Sequence, residues 1–329
     1  MRESTEMEID PLSDVLRLVK AEPTVTGGFT AGGPWAIRFP ARDKVKFFGV
    51  VRGECWARFD DGGEAVKFET GDVGLLSEQR PFVLSSAPSV TPVDAVTLFS
   101  GAGRTTAVIG DGSAFEHFGG HVLFDPAQAS VVRSVLPAWI HIRAASPEAV
   151  AFRALFSQLV IERADARPGG QLASTQLTQL LFIHILRAHL KSGSPMAAGW
   201  LRALADARIA PALRLMHGSP DRSLGLEELA RACGMSRTTF ASHFRESAGV
   251  PPLAYLTDWR MRLAEQALRE TATPMASIAQ RLGYASESAF SNAFKRVTGR
   301  SPKTCRRSDQ PAPSSPLDHS AAEAGLGWT

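Results

Sequence analysis

Residues 229–252 read LARACGMSRTTFASHFRESAGVPP, and residues 278–302 read IAQRLGYASESAFSNAFKRVTGRSP. They are one pattern written twice. Ala230/Ala279 and Gly234/Gly283 match at an offset of 49, while Phe240/Phe290, Phe244/Phe294, Gly249/Gly299 and Pro252/Pro302 match at 50, so the second copy has one extra residue in its turn. Each copy predicts a short helix, a glycine turn and a second amphipathic helix, the build of a helix-turn-helix.

In the first copy, Leu226 to Cys233 is the positioning helix, with Leu226, Leu229 and Ala230 inward; Ala230 is small where two helices cross. Gly234 supplies a positive-φ turn. Ser236 caps the second helix, whose Phe240 and Phe244 stand four apart and anchor it. Arg237, Thr238, Ala241, Ser242 and Arg245 then fall on the outer side. In the second copy, Thr273 is expected to cap with Pro274 at the first helical position. Ile278 and Ala279 pack, Gly283 turns, Ser286 caps, and Phe290 and Phe294 anchor. Glu287, Ser288, Ser291, Asn292 and Lys295 face out. In a helix laid in a major groove, Asn292 matches adenine and Glu287 matches cytosine, while Arg296 and Arg300 suit phosphates. Between the copies, PLAYLTDWRMRLAEQALRE (252–270) reads as an unbroken helix of 19 residues. At ~1.5 Å per residue it spans roughly 28 Å, close to the ~34 Å pitch of B-DNA. These features point to double-stranded DNA as partner, the two second helices entering successive major grooves.

Charge agrees. The net charge of +3 conceals an imbalance: residues 210–307 hold 15 Lys/Arg against 8 Asp/Glu, residues 1–209 hold 21 against 22, and residues 308–329 hold three acids and no base. Positive charge thus gathers where phosphates would be met. At 329 residues, two domains are expected. No apolar run approaches the roughly 18 residues of a membrane span, and the polar, acidic MRESTEMEID does not resemble a secretory signal. Three scattered cysteines, Cys55, Cys233 and Cys305, make neither a disulfide framework nor a zinc pattern and suit a reducing cytoplasm.

Upstream, residues 9–20 read as an amphipathic helix carrying Leu12, Val15, Leu16 and Val19. From 24 to about 110 short apolar runs are cut by Gly and Pro: WAIRF, VKFFGVV, ECWARF, AVKFE, VGLLS, FVLSS and AVTLF (95–99) are expected strands, with DDGG (60–63) a hairpin turn. So many short strands favour a sandwich or small barrel. Helices are expected at 126–136, 146–164 and across 169–193, the last with Leu172, Leu177, Leu180, Leu181, Ile183 and Leu186 as a candidate dimerisation stripe. KSGSPMAAG (191–199) reads as a linker. Residues 1–8 read as a frayed terminus and 308–329 as a disordered tail.

Residues 208–307 resemble the DNA-binding domain of AraC/XylS-type transcription regulators. LEELARACGMSRTTFASHF, GVPPLAYLTDWRMRLAEQAL and the closing GY…F…FKR…GRSP carry the likeness. An aromatic common in that family near Leu224–Gly225 is absent. Residues 9–190 resemble, more weakly, the cupin-type sensor domain of some of these regulators, through DPLSDVL, GGPWAIRFP, GECWARF, ETGDVGLL, FGGHVLFD, LPAWIHI and ERADARPGGQ. The resemblance implies a multi-domain chain: a cupin-like β-barrel with helices for sensing and dimerisation at 9–190, the linker at 191–199, and an all-α tandem helix-turn-helix domain at 200–307. It also implies a small-molecule effector, RNA polymerase and a second copy of the chain as partners, in the cytoplasm, with no membrane.

Metal-binding cupins use His-x-His, a Glu and a later His. Here no His precedes His117; Lys46 and Phe48 stand in the relevant strand, and Phe82 follows Pro81. Histidine–metal chemistry of that kind is excluded, and neither cofactor nor metal is expected. His117 and His121, four apart beside Glu116, read as structural or pocket-edge residues. Trp35, Arg38, Phe48, Trp56 and Arg58 are the candidate effector contacts, each equally readable as an ordinary barrel residue. Along ECWARF, Cys55, Ala57 and Phe59 share one face and Trp56 and Arg58 the other; which is inside stays open. The alternatives are a cupin-type enzyme with a DNA-binding appendage and an effector-independent DNA-binding protein. No Ser-His-Asp order, P-loop or dinucleotide motif supports the enzyme.

Overall fold

The computed structural model describes residues 9–41, 44–99, 106–164 and 168–308; the expectations for 1–8, 309–329 and part of ERADARPGGQ lie outside them. Helix α1 (Pro11–Leu18) leads into strands β1 (Glu22–Ala31), β2 (Ala36–Phe39), β3 (Val45–Arg52), β4 (Glu54–Phe59), β5 (Val66–Glu69), β6 (Val73–Leu76), β7 (Phe82–Ser85) and β8 (Val93–Asp94). Then come α2 (Ala95–Leu98), β9 (Thr106–Ile109), β10 (Phe115–Leu123), α3 (Ala129–Arg133) and β11 (Trp139–Ile142). The rest is helical: α4 (Ala149–Ala164), α5 (Gly170–Lys191), α6 (Trp200–Ala205), α7 (Ala210–Gly218), α8 (Leu226–Ala232), α9 (Arg237–Ala248), α10 (Pro252–Glu270), α11 (Met275–Arg281), α12 (Glu287–Thr298) and α13 (Pro302–Ser308). Two compact units result: residues 1–218 with 224–255, and residues 219–223 with 256–329.

The expected barrel takes the form of two separate sheets. One has the order β11-β6-β3-β10-β1-β9 and the other β5-β4-β7-β2-β8. Strand alternation decides what each face does. Phe29, Phe48, Val50 and Phe115 join Ile37, Cys55, Ala57, Phe68 and Leu84 in one buried cluster. Aromatic rings interlock there, with Phe29–Trp35 centroids 5.1 Å apart, Trp35–Phe115 4.7 Å and Phe48–Phe68 4.8 Å. The opposite face of the larger sheet is covered by α4, where Phe118 meets Phe156 at 4.6 Å. Gly49 permits that approach, because a Cβ there would lie 2.7 Å from the Phe118 ring and 2.8 Å from that of Phe156.

One expectation changes. AVTLF is no strand: Ala95–Leu98 is a turn of helix. Ala95, Leu98 and Phe99 meet the core while Val96 is 61% exposed, a helical spacing that strand alternation cannot give. EHFGGHVLF forms the long strand β10, antiparallel to both β1 and β3. Its glycines suit close packing: a Cβ at Gly120 would come 2.2 Å from the Thr24 carbonyl oxygen.

One buried polar knot fastens the end of the sandwich. Asp72 accepts from the Ala144 N–H at 2.7 Å and the Glu69 N–H at 3.1 Å, and pairs with His141 Nε2 at 2.8 Å. Burial works against its charge, but the hydrogen bonds outweigh it and hold the carboxyl below the usual carboxylate range. The folded-state pKa lies below the unfolded one, so this stabilisation is complete above about pH 4 and fades as pH falls through the folded value. Asp72→Ala strands three partners at once and is expected to destabilise the protein by roughly 2–4 kcal/mol at neutral pH. Urea unfolding checks this, and the gap between variant and wild type should shrink toward pH 3.

Candidate DNA-binding and effector sites

The two repeat copies fold alike. In the first, α8 ends at Cys233, Gly234 turns at φ 63°, and the Met235 N–H reaches back to the Ala230 carbonyl at 2.9 Å. Ser236 Oγ then accepts from the Thr239 N–H at 3.2 Å, capping α9. In the second, Gly283 turns at φ 77°, the Tyr284 N–H reaches the Ala279 carbonyl at 2.9 Å, and Ser286 Oγ accepts from the Ala289 N–H at 3.1 Å. The extra residue sits between glycine and cap. Both second helices close on a left-handed glycine, Gly249 and Gly299. The start of α11 differs from expectation: Pro274 is itself the N-cap, without a side-chain cap. Thr273 instead gives its carbonyl oxygen to the Arg306 guanidinium at 2.6 Å.

Phe240, Phe244, Phe290 and Phe294 are fully buried, each contributing ~2–3 kcal/mol. Phe244 meets Tyr255 at 5.6 Å, and the Tyr255 hydroxyl lies 2.9 Å from His217 Nε2. Asp206 holds α9 from behind, taking the Ser247 hydroxyl at 2.8 Å and lying 2.7 Å from His243 Nε2. In the second unit Phe290 and Phe294 pack with Met261, Leu268, Ile278 and Cys305.

The helical period turns the other face outward. Arg237, Thr238, Ser242 and Arg245 are exposed on α9, as are Glu287, Ser288, Asn292, Lys295 and Arg296 on α12; Ala241 and Ser291 hold equivalent half-buried positions. Other cations nearby are occupied. Arg260 donates to the carbonyls of Pro220 and Arg222, both at 2.7 Å, and Arg262 pairs with Asp258 at 2.7 Å. Arg300, expected on a phosphate, donates to Glu265 at 3.2 Å. Among the described residues no hydrogen bond or ion pair holds Arg237, Arg245 or Lys295.

A second site lies between the two sheets of the first unit. It is a cavity of about 510 Å³. Phe39, Phe48, Phe82 and Phe99 form apolar walls, and Lys44, Lys46, His117 and His121 bring nitrogen atoms. Of the five effector candidates only Phe48 lines it. Trp35 is 4% exposed and packs in the core beside the cavity. Arg38 is tied to Asp60 at 2.9 Å and Asp94 at 3.4 Å. Trp56 and Arg58 alternate with the buried Cys55 and Ala57, so they lie on the other face of β4. The missed residues had a signal: from Phe48, alternation along β3 leads directly to Lys46. His117 is 8% exposed, and burial pushes its imidazole down to about 3. Among the described residues no three His, Cys, Asp or Glu side chains gather as a metal site would need.

Residues 10–191 match the Cupin family, and residues 229–308 match a helix-turn-helix domain family. The chain is 37% identical over 299 residues to an AraC-like transcription regulator of Streptomyces lividans, spanning 91% of this chain and 98% of that protein. It is 31% identical over 284 residues to the HTH-type transcriptional regulator AlkR of Acinetobacter baylyi, spanning 84% and 92%. Among solved structures, the C-terminal domain of AraT, a response regulator from Geobacillus stearothermophilus, matches at 27% identity and a TM-score of 0.31, covering 35% of this chain and 96% of that one. A paired helix-turn-helix behind a cupin domain defines a DNA-binding transcription regulator. This chain belongs to the AraC family of such regulators.

The two turn glycines make a graded prediction. At Gly234 a Cβ would meet nothing within 4 Å, so Gly234→Ala carries only the positive-φ penalty, about 1 kcal/mol. At Gly283 a Cβ would lie 2.3 Å from the Asp221 carbonyl oxygen, so Gly283→Ala should cost about 3 kcal/mol or more. Chemical denaturation of the two variants side by side tests the ranking.

Proposed function

We propose that α9 and α12 are the two DNA-reading helices of this regulator and that the cupin cavity takes a small organic effector. The observation that supports this most is the division of labour among cations. Those that stabilise the fold are engaged by carbonyls or carboxylates, whereas those on the outward faces of α9 and α12 are left to solvent. In this reading Arg237, Thr238, Ala241, Ser242 and Arg245 approach one major groove. Glu287, Ser288, Ser291, Asn292, Lys295 and Arg296 approach the next. The 19-residue α10 joins the two motifs. Residues 9–190 act as sensor, 191–199 as linker and 200–307 as DNA-binding domain, working in the cytoplasm with RNA polymerase as partner. No described helix is long and apolar enough to cross a membrane.

The protein acts as a homodimer through α4 and α5, although Leu181 and Leu186 of the expected stripe are buried within the chain itself and leave that role to their exposed neighbours. Val150, Val160 and Ile161 on the first and Leu172 and Leu180 on the second are exposed apolar residues that a second copy would cover. In this reading the protein performs no catalysis: β3, the strand where the cupin resemblance leads one to expect metal ligands, carries Lys46 and Phe48 and no histidine. The cavity supports an effector-controlled protein over a purely architectural one, which needs no such space.

Arg237→Ala is expected to weaken operator binding by about 1–3 kcal/mol and to relax preference at one base pair; mobility shifts on the wild-type operator and its single-base variants measure both. The effector reading has its own check. Gly119→Leu fills the cavity beside Phe48. In a thermal-shift screen of metabolites on the full-length protein, at least one compound should stabilise wild type and not this variant; a screen without such a compound rejects the reading.

A further inference from the structure

The chemistry of the cavity changes along its length. On the inner face of β10, His121, Gly119 and His117 stand two residues apart, opposite Lys46, Phe48 and Val50 of β3. Four residues at about 3.3 Å each separate the two histidines, so the ends lie about 13 Å apart.

One end is cationic. Lys44 Nζ lies 3.2 Å from His121 Nε2. Lys46 Nζ donates to the Pro40 carbonyl at 2.9 Å and sits 4.7 Å from the centre of the Phe82 ring. The described lining includes no Asp or Glu. The middle is aromatic, and Gly119 keeps it open: a Cβ there would come 3.2 Å from the His117 ring. The far end is a buried imidazole. His117 packs between Phe29 at 4.7 Å and Phe48 at 5.8 Å. Its Nδ1 is buried without a hydrogen-bond partner. The ring edge that carries Nε2 borders Gly119 in the cavity wall, 3.3 Å from where a Cβ there would stand. A neutral imidazole offers one N–H and one lone pair, so in either tautomer Nε2 has a hydrogen bond to make on the cavity side.

We infer that the cavity takes an organic monocarboxylate in a fixed orientation, its carboxylate at Lys44 and Lys46, its apolar body between Phe48 and Phe82, and a hydroxyl group at His117. The inference rests on the effector reading and adds the ligand's class. Two ammonium groups repel a cationic ligand, and a sugar would press many hydroxyls against phenylalanine with no partner to bond. A length below about 13 Å and a single distal hydroxyl fit a hydroxylated arylalkanoate or a short hydroxy acid.

Three probes on the full-length protein test this by calorimetry and thermal shift: para-hydroxyphenylpropionate, its uncharged amide, and phenylpropionate. The hydroxylated acid should bind saturably. The amide should bind at least about tenfold more weakly, having lost a charge-assisted contact, and phenylpropionate about fivefold more weakly. Lys46→Met should bring acid and amide toward parity. His117→Leu should bring the two acids to parity and raise the melting temperature of the ligand-free protein by about 2–4 °C, because a buried unpaired imidazole is removed. A merely structural His117 would instead lower it. Equal binding of acid and amide, or no saturable binding of either acid up to millimolar concentration, overturns the inference. If only neutral compounds stabilise wild type and lose that effect in Gly119→Leu, the effector site stands and its preference for an anion is wrong.

Discussion

The burial of two phenylalanines four residues apart, once in α9 and once in α12, is the constraint on which the DNA-reading half of this protein depends. Residues four apart on a helix lie on one face. Fixing Phe240/Phe244 and Phe290/Phe294 in the cores therefore fixes which residues point the other way. Arg237, Ser242 and Arg245 on one helix and Asn292, Lys295 and Arg296 on the other are outward as a consequence of that burial. The serine caps and left-handed glycines then set where each helix begins and ends. Orientation thus comes from hydrophobic burial, and the polar face is free to be selected for what it touches.

The cupin half solves a different problem with the same economy. Two sheets must face each other and still leave space between them. Aromatic side chains fill most of the interior, and the glycines of β10 keep one part of it open. The residues around that space are apolar walls, basic groups near one end and a buried neutral imidazole at the other, the chemistry on which the proposed effector reading rests. Lys46 and Phe48 of β3 both line that space, one bringing an ammonium group and the other an aromatic ring.

Much of this was legible in the chain. The repeat could be read because helix period, glycine turn and serine cap are all local, and because two copies corroborate each other. DDGG between β4 and β5 was legible for the same reason. Residues 95–99 differ from the expected strand because four apolar residues and a threonine suit strand and helix equally; the choice follows from Ala95, Leu98 and Phe99 meeting a surface built by distant strands. Thr273 looked like a cap, but Arg306, 33 residues later, takes its carbonyl. Arg300 looked free for phosphate until Glu265 was found beside it. β10 was hidden by Gly119-Gly120, which weaken any strand signal taken alone.

The amino-acid sequence by itself determined the kind of protein this is, a tandem helix-turn-helix regulator behind a cupin domain, because those signals lie within a few helical turns and need no partner to be read. It also determined which faces of α9 and α12 are wet. Only the tertiary structure decided which residues line the cavity. That depends on the register between β3 and β10, some 70 residues apart, and on which face of β4 turns inward. Alternation groups Trp56 with Arg58 and Cys55 with Ala57 but is symmetric between inside and outside. The second sheet, packed against one of those faces, breaks that symmetry.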